Sequence, residues 1–275
     1  MTGADWATYW RDPVRPVEAM RAHFVEHTFH KHSHDAYSFG VTEEGAQRFA
    51  CRGGKHTSAA GLVMTFNPDD PHDGESAAEL GFTYRIVHIG PDVVRELLIE
   101  QGAGGELPLF PEPVHHDRVL RRAVVGLHEA LAGGAGALVR EERLMAAVTA
   151  MVRRRATGVR AREAVPAGRE QARRAAEVLR AAVTEDLSAE ELTLAAGAGS
   201  RFALYRAFKA EYGMAPSDYQ RLLRLRSARE LIVAGSSAAD AAAASGFADQ
   251  AHFHRWFVRS YGVTPGAYAR AGAGA

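Results

Sequence analysis

Two segments in the second half of the chain end on the same phrase, Tyr212-Gly213-Met214-Ala215-Pro216 and Tyr261-Gly262-Val263-Thr264-Pro265. Glycine stops a helix and proline cannot continue one, so each phrase marks a helix end. Each also closes a stretch built to one plan. In SAEELTLAAGAGSRFALYRAFKAEYGMAPSDY, Ser188 with Glu191 forms a capping-box pattern, a glycine-bearing turn follows, and a second helix begins at Ser200. SSAADAAAASGFADQAHFHRWFVRSYGVTPGAY repeats that order, with Asp249 as the expected cap. The repeat constrains the second half to two helix–turn–helix units.

SDYQRLLRLRSARELIVAG runs between them, and Ser217 to Val233 spans roughly 25 Å as a helix at about 1.5 Å per residue. A strut of that length holds two helices close to one DNA turn apart, about 34 Å. Leu204 and Phe208, and Phe253 and Phe257, are spaced to face a core. That leaves Arg201, Phe202, Tyr205 and Arg206 on one outer face, and Gln250, His252 and Arg255 on the other unit's. Arginine suits guanine, glutamine suits adenine, and aromatic rings reach thymine methyls or sugars. The chain has formal net charge zero, but the residues from Arg160 onward hold 16 Lys/Arg against 12 Asp/Glu. Charge alone favours a helical bundle with solvated arginines; the duplicated motif favours DNA.

The first half has a different texture. GVTEEGAQRFACRGGKHT, GLVMTFNPDDPHDG and FTYRIVHI read as short strands between turns, which suggests a sandwich or small barrel. After Pro113, Val119, Leu120, Ala123, Val124, Leu127 and Leu131 fall at helical spacing, as do Leu144, Val148, Met151 and Val152. This predicts a helical hairpin that either covers the sheet or supplies a dimer seam. Residues 156–168 lack an apolar stripe and form the expected linker between units 1–155 and 169–275.

FHKHSHD places His30, His32 and His34 at alternate positions, the period that sends side chains to one face of a strand. Histidines so grouped suit a metal centre or a polar pocket wall. His30 is expected at the pocket rim or simply in the strand, and His115 and His116 in solvent. The single cysteine, Cys51, excludes an intrachain disulfide and any multi-cysteine zinc site. There is no signal-peptide pattern, nor an apolar run near the roughly 20 residues a bilayer requires. A cytoplasmic protein without a membrane partner is the expectation.

GFADQAHFHRWFVRSYGVTPGAYAR resembles the signature end of the AraC/XylS family of bacterial transcription regulators, and the likeness extends over about Gln171 to Arg270. The resemblance implies two helix–turn–helix subdomains joined by a linker helix, with promoter DNA and RNA polymerase as partners. Its base-reading positions fall on Phe202, Tyr205 and Arg206, and on Gln250, Ala251, His252 and Arg255. Two departures stand out. The first turn, GAGS, is one residue longer than the family pattern. Ala238, Ala241 and Ala243 occupy places usually held by larger aliphatics, a loss of about 1–3 kcal/mol per truncated side chain.

The first half is similar to the cupin-like sensing domain that often precedes this module. HKHSHDAYSFGVTEEGAQRF looks like the first cupin motif, and Gly61, Pro68, Pro71 and His72 match the second. The implied architecture is α+β: a double-stranded β-barrel with a helical hairpin, then an all-α DNA-binding domain. The likeness implies an effector pocket at His32, His34, Tyr37 and His72, and a homodimer. Metal-binding cupins add a carboxylate four or five residues after the H-x-H pair; here Tyr37, Ser38 and Phe39 stand there, and Glu43 is far along the strand. The expectation is therefore a metal-free pocket without a cofactor and without catalytic residues. Two other readings compete: a metal-dependent cupin enzyme, and a methyl-accepting repair protein using Cys51.

Overall fold

Period-two alternation places the side chains of the first half. Met20, Ala22 and Phe24 on one strand, and Phe82, Tyr84 and Ile86 on another, turn to one interior, and all are buried. The computed structural model describes residues 5–157, 168–261 and 263–272. They fall into two compact units, one of residues up to 135 with the stretch from 143, the other of residues 136–142 with those from 164. Of the expected linker, residues 158–167 lie outside the described residues.

Among the described residues the first unit carries nine strands: β1 (Trp6–Arg11), β2 (Val17–Phe24), β3 (Phe29–His32), β4 (Tyr37–Cys51), β5 (Gly54–Ala59), β6 (Val63–Phe66), β7 (His72–Ser76), β8 (Phe82–Ile89) and β9 (Val114–His115). They follow the path β1-β2-β8-β4-β6-β9, with β3, β5 and β7 closing the other side. β4 is the spine, pairing antiparallel with β5, β6, β7 and β8. Gly40 gives way to the interior, since a Cβ there would meet Met64 Cε at 2.7 Å. Helices α1 (Pro91–Glu100) and α2 (Arg118–Ala132) follow, and α3 (Ala137–Arg155) crosses from the second unit's grouping into the first.

The hairpin's role is settled for α2. Leu120, Val124 and Leu127 are buried, and the helix lies against β1, β2, β4 and β8, so its stripe covers the sheet. Val119 departs from the expectation and is exposed, because it stands one position off the buried stripe. His115 also departs: it is buried, with Nε2 at 3.1 Å from Thr65 Oγ1.

The second unit contains α4 (Arg169–Ala181), α5 (Ala189–Ala195), α6 (Arg201–Tyr212), α7 (Pro216–Val233), α8 (Ala238–Ala244), α9 (Gln250–Tyr261) and α10 (Pro265–Gly272). The expected capping box is present: Ser188 caps α5, and Glu191 returns a bond to the Ser188 amide at 2.8 Å. The strut is α7, 18 residues and about 27 Å long. Leu204 and Phe208 lie in the core of the first subdomain, Phe253 and Phe257 in that of the second. The alanines of α8 cost less than their number suggests. Ala241 is buried among Phe247, Phe253 and Phe257, whereas Ala243 is exposed and loses no packing.

Asp117 caps α2, accepting from the amides of Val119 and Leu120 at 3.0 Å, and Arg154 and Arg155 donate to its other oxygen. Burial would raise its carboxyl pKa, but the Arg154 bond, the Leu120 amide and Arg155 hold it at about 2. A folded value below the ordinary 3.8 gives stability that is present above that pH and lost as the pH falls toward about 2. Asp117→Asn should cost about 2 kcal/mol at pH 7. Urea unfolding should show the gap between wild type and variant narrowing at pH 2.5.

Candidate functional site

A cavity of about 580 Å³ opens inside the barrel unit. Its floor is apolar, from Phe29, Phe49, Met64, Phe66, Tyr84 and Ile86. Its polar end is a group of four histidines, His32, His34, His72 and His88. The ring of His32 lies 4.5 Å from that of His72, and His34 lies 4.6 Å from His88, measured between centroids. His72 also stacks on Phe66 at 4.1 Å.

The strand phase explains who takes part. Ser38 pairs with His88 across β4 and β8, so both face the cavity, and Ser38 Oγ lies 2.8 Å from His88 Nδ1. Tyr37 pairs with Ile89 and faces the other way. Its hydroxyl donates to the Pro108 carbonyl at 2.8 Å, its ring packs on Phe110, and burial pushes its pKa up to about 12. Tyr37 therefore does not line the cavity, contrary to the sequence expectation. His30 is also turned away. An irregularity in register between Phe29 and His32 breaks the simple alternation, and His30 offers the cavity group only its carbonyl, 2.7 Å from His32 Nδ1.

Sequence reasoning missed His88. It sits outside both histidine motifs, and the signal was its even spacing from Phe82, Tyr84 and Ile86 in FTYRIVHI. Glu43 lies outside the cavity, bonded to Arg21 at 2.7 Å and to Arg85.

His32 and His72 each have Nδ1 against a main-chain carbonyl, His30 at 2.7 Å and Asp70 at 2.9 Å. Donation there leaves Nε2 as a lone pair. One nitrogen from each of His32, His34 and His72 lies within 4.8 Å of the others, so this donor set fits a zinc- or iron(II)-type ion. Burial first, then neighbouring imidazoles, lowers His34 and His88 to about 4. Burial likewise brings His72 to about 4. His34, His72 and His88 are neutral at pH 7. Burial raises the Cys51 thiol above its ordinary value, which removes support for a reactive thiolate.

On the recognition helices the two units differ. Gln250, Ala251 and Arg255 of α9 are exposed. Asp249 caps that helix through the His252 amide at 2.6 Å. His252 is half-buried and accepts from Trp256 Nε1 at 2.9 Å, which fixes its ring on the shoulder of the face. On α6, Arg201 and Phe202 are buried rather than open, while Tyr205 and Arg206 are half-buried. Arg201 pairs with Glu141 at 2.8 Å, and the Arg206 guanidinium lies over the Phe202 ring at 4.7 Å. Arg221 of α7 lies 3.7 Å above the Trp256 ring, which ties the strut to α9.

Two helix–turn–helix subdomains on one strut, following a barrel with an internal cavity, define a DNA-binding regulator with a ligand-binding domain. Family models agree: residues 16–148 match the AraC-like ligand binding domain and residues 194–271 a helix-turn-helix domain. The chain has the architecture of an AraC-family transcriptional regulator. It is 28% identical over 241 residues to the HTH-type transcriptional regulator YbfI of Bacillus subtilis strain 168, covering 88% of this chain and 87% of that one. A solved AraC-type regulator from Chromobacterium violaceum is 30% identical, covering 38% of this chain and 93% of that one, with a TM-score of 0.36. ToxT from Vibrio cholerae O395 aligns over 98% of this chain and 99% of its own, at 11% identity and a TM-score of 0.37.

Gln250→Ala should relax the preference for one adenine by about 1–3 kcal/mol and leave the salt dependence unchanged. Duplexes carrying single base substitutions, compared by fluorescence anisotropy, read this directly.

Proposed function

We propose that this chain controls transcription by binding promoter DNA through α6 and α9, with its affinity set by a small molecule in the barrel cavity. The observation that carries the reading is the presence, in one chain, of a half-apolar cavity and a duplicated helix–turn–helix unit. A volume of about 580 Å³ lies within the range of small-molecule pockets. Among the described lining residues there is no lysine or arginine; Glu18, Asp35, Asp73 and Asp92 join the four histidines and Gln47. Such a wall is rich in acceptors. It suits a compact effector with an apolar, partly aromatic body and hydroxyl or amine donors, and His32, His34 and His72 are its contacts.

An effector changes promoter affinity only by its difference in affinity between two arrangements of the protein. Action by binding rather than catalysis, homodimerisation, contact with RNA polymerase and a cytoplasmic location belong to the same reading. Its support is the family architecture, and among the described residues no helix is long and apolar enough to cross a membrane.

A second reading has its own observation, the convergence of three imidazole nitrogens. An ion held by His32, His34 and His72 would supply a Lewis-acidic anchor for an oxygen-bearing effector. His88 would then stand beside that anchor as a further polar contact.

The test is anisotropy with duplexes enriched in vitro on the full chain. Binding should weaken by a factor of about 10³–10⁵ between 50 and 200 mM salt if 6–10 phosphates are contacted. Salt-insensitive binding, or no enrichment, would sink the regulator reading. Stoichiometric iron together with turnover that is lost in His72→Ala would replace it with a cupin enzyme.

A further inference from the structure

The two recognition helices begin at matching places in the internal repeat, Arg201 after Ser200 and Gln250 after Asp249. Gln250 is exposed, whereas Arg201 is 4% exposed. A carboxylate is among its partners. Its Nη1 donates to Glu141 Oε2 at 2.8 Å, and Glu141 lies in the second turn of α3.

The neighbouring residue does the same at the next helix. Glu142, 6% exposed, accepts from the Ser217 amide at 2.9 Å and from the Ser217 hydroxyl, at the first turn of α7. The start of α3 is itself fixed in this unit. Asp186, between α4 and α5, accepts from the Ala137 amide at 2.8 Å. Helix N-termini carry partial positive charge and hold anions, whether carboxylates or nucleic-acid phosphates. Glu141 and Glu142 thus place negative charge at the starts of α6 and α7, where a DNA backbone would be attracted. Among the described residues, Gln250, Ala251 and Arg255 on α9 are exposed.

We propose that the start of α3 is a removable cover on the first recognition helix: Glu141 holds Arg201 in place of a DNA phosphate, and full promoter affinity requires that exchange. The inference rests on the reading that the chain binds duplex DNA. α3 runs on unbroken to Arg155, and from Arg143 it groups with the barrel unit, so one helix carries both the cover and residues of the ligand-binding half.

The experiment uses the full chain and a fluorescent duplex enriched in vitro on the wild type, read by anisotropy across a salt titration. Glu141→Gln should bind at least about fivefold more tightly. The slope of log affinity against log salt should steepen by about 0.9, the value of one added phosphate contact. Arg201→Gln introduced into that variant should remove both gains. Unchanged or weaker binding by Glu141→Gln, or a gain that survives Arg201→Gln, overturns the proposal. Should Glu141→Gln fail to fold in a thermal melt, hydrogen exchange on the wild type decides. Amides 138–142 should exchange faster with duplex bound, and unchanged or slower exchange overturns the cover. A wild type that enriches no duplex overturns the regulator reading and the cover together. Enrichment with an unaltered Glu141→Gln affinity overturns the cover alone.

Discussion

The register of β4 against β8 governs the barrel, because a shift of one residue would exchange every inward side chain for an outward one. Ser38 opposite His88, and Gly40 opposite Ile86, put a hydroxyl and an empty space on the inside. Tyr37 opposite Ile89, and Phe39 opposite Val87, put large rings on the outside, against Phe110. β6 continues the phase, since Phe66 opposes Ser38 and Met64 opposes Gly40. The cavity therefore has an aromatic floor and an imidazole end from one hydrogen-bond pattern. The small residue at Gly40 admits the Met64 side chain that helps to close the floor.

The same alternation shows how far the sequence could be read. The strands of the first half, the helical hairpin, the repeated units and their caps follow from period, glycine and proline placement, and short-range capping chemistry. The core pairs Leu204–Phe208 and Phe253–Phe257 follow from spacing alone. The site was harder. Tyr37 lies in the segment where the cupin likeness points to a ligand contact, but phase within β4 sends it outward. His88 carries no motif and joins the site only because β8 pairs with β4 at Ser38. Arg201 follows a capping serine, as a first residue of a reading helix should, yet its surroundings include Glu141, 60 residues away in sequence. Local pattern decides elements; partners distant in sequence decide what the elements expose.

The second unit is held by short, specific ties rather than by bulk. α8 is nearly all alanine, so its core depends on rings from neighbouring segments, with Phe247, Phe253 and Phe257 packed on Ala241 and Ala242. Close approach follows from the same smallness. A Cβ on Gly246, whose φ is +78°, would meet Thr184 Cα at 2.7 Å, so the turn of the second subdomain lies directly on the loop after α4. Arg224 reinforces that contact, donating to the carbonyls of Val183 and Glu185 at 2.7 Å. The two reading units are thereby fixed to one another by backbone-level contacts as well as by α7.

Charge placement follows the same economy of local ties. The C-terminal half has only a small basic excess, and several of its carboxylates bond within the fold. Glu191 closes the cap of α5, Asp240 bonds Ser237 at the start of α8, and Asp249 caps α9. Glu211 pairs with Arg169 and Arg173, and Asp218 with Arg221. Carboxylates at helix N-termini are stabilised by the helix dipole. Lys209, Arg226 and Arg255 remain exposed. Glu177, Glu190 and Glu230 are exposed as well, so a basic face toward DNA would rest on where these cations stand and not on burial of the anions.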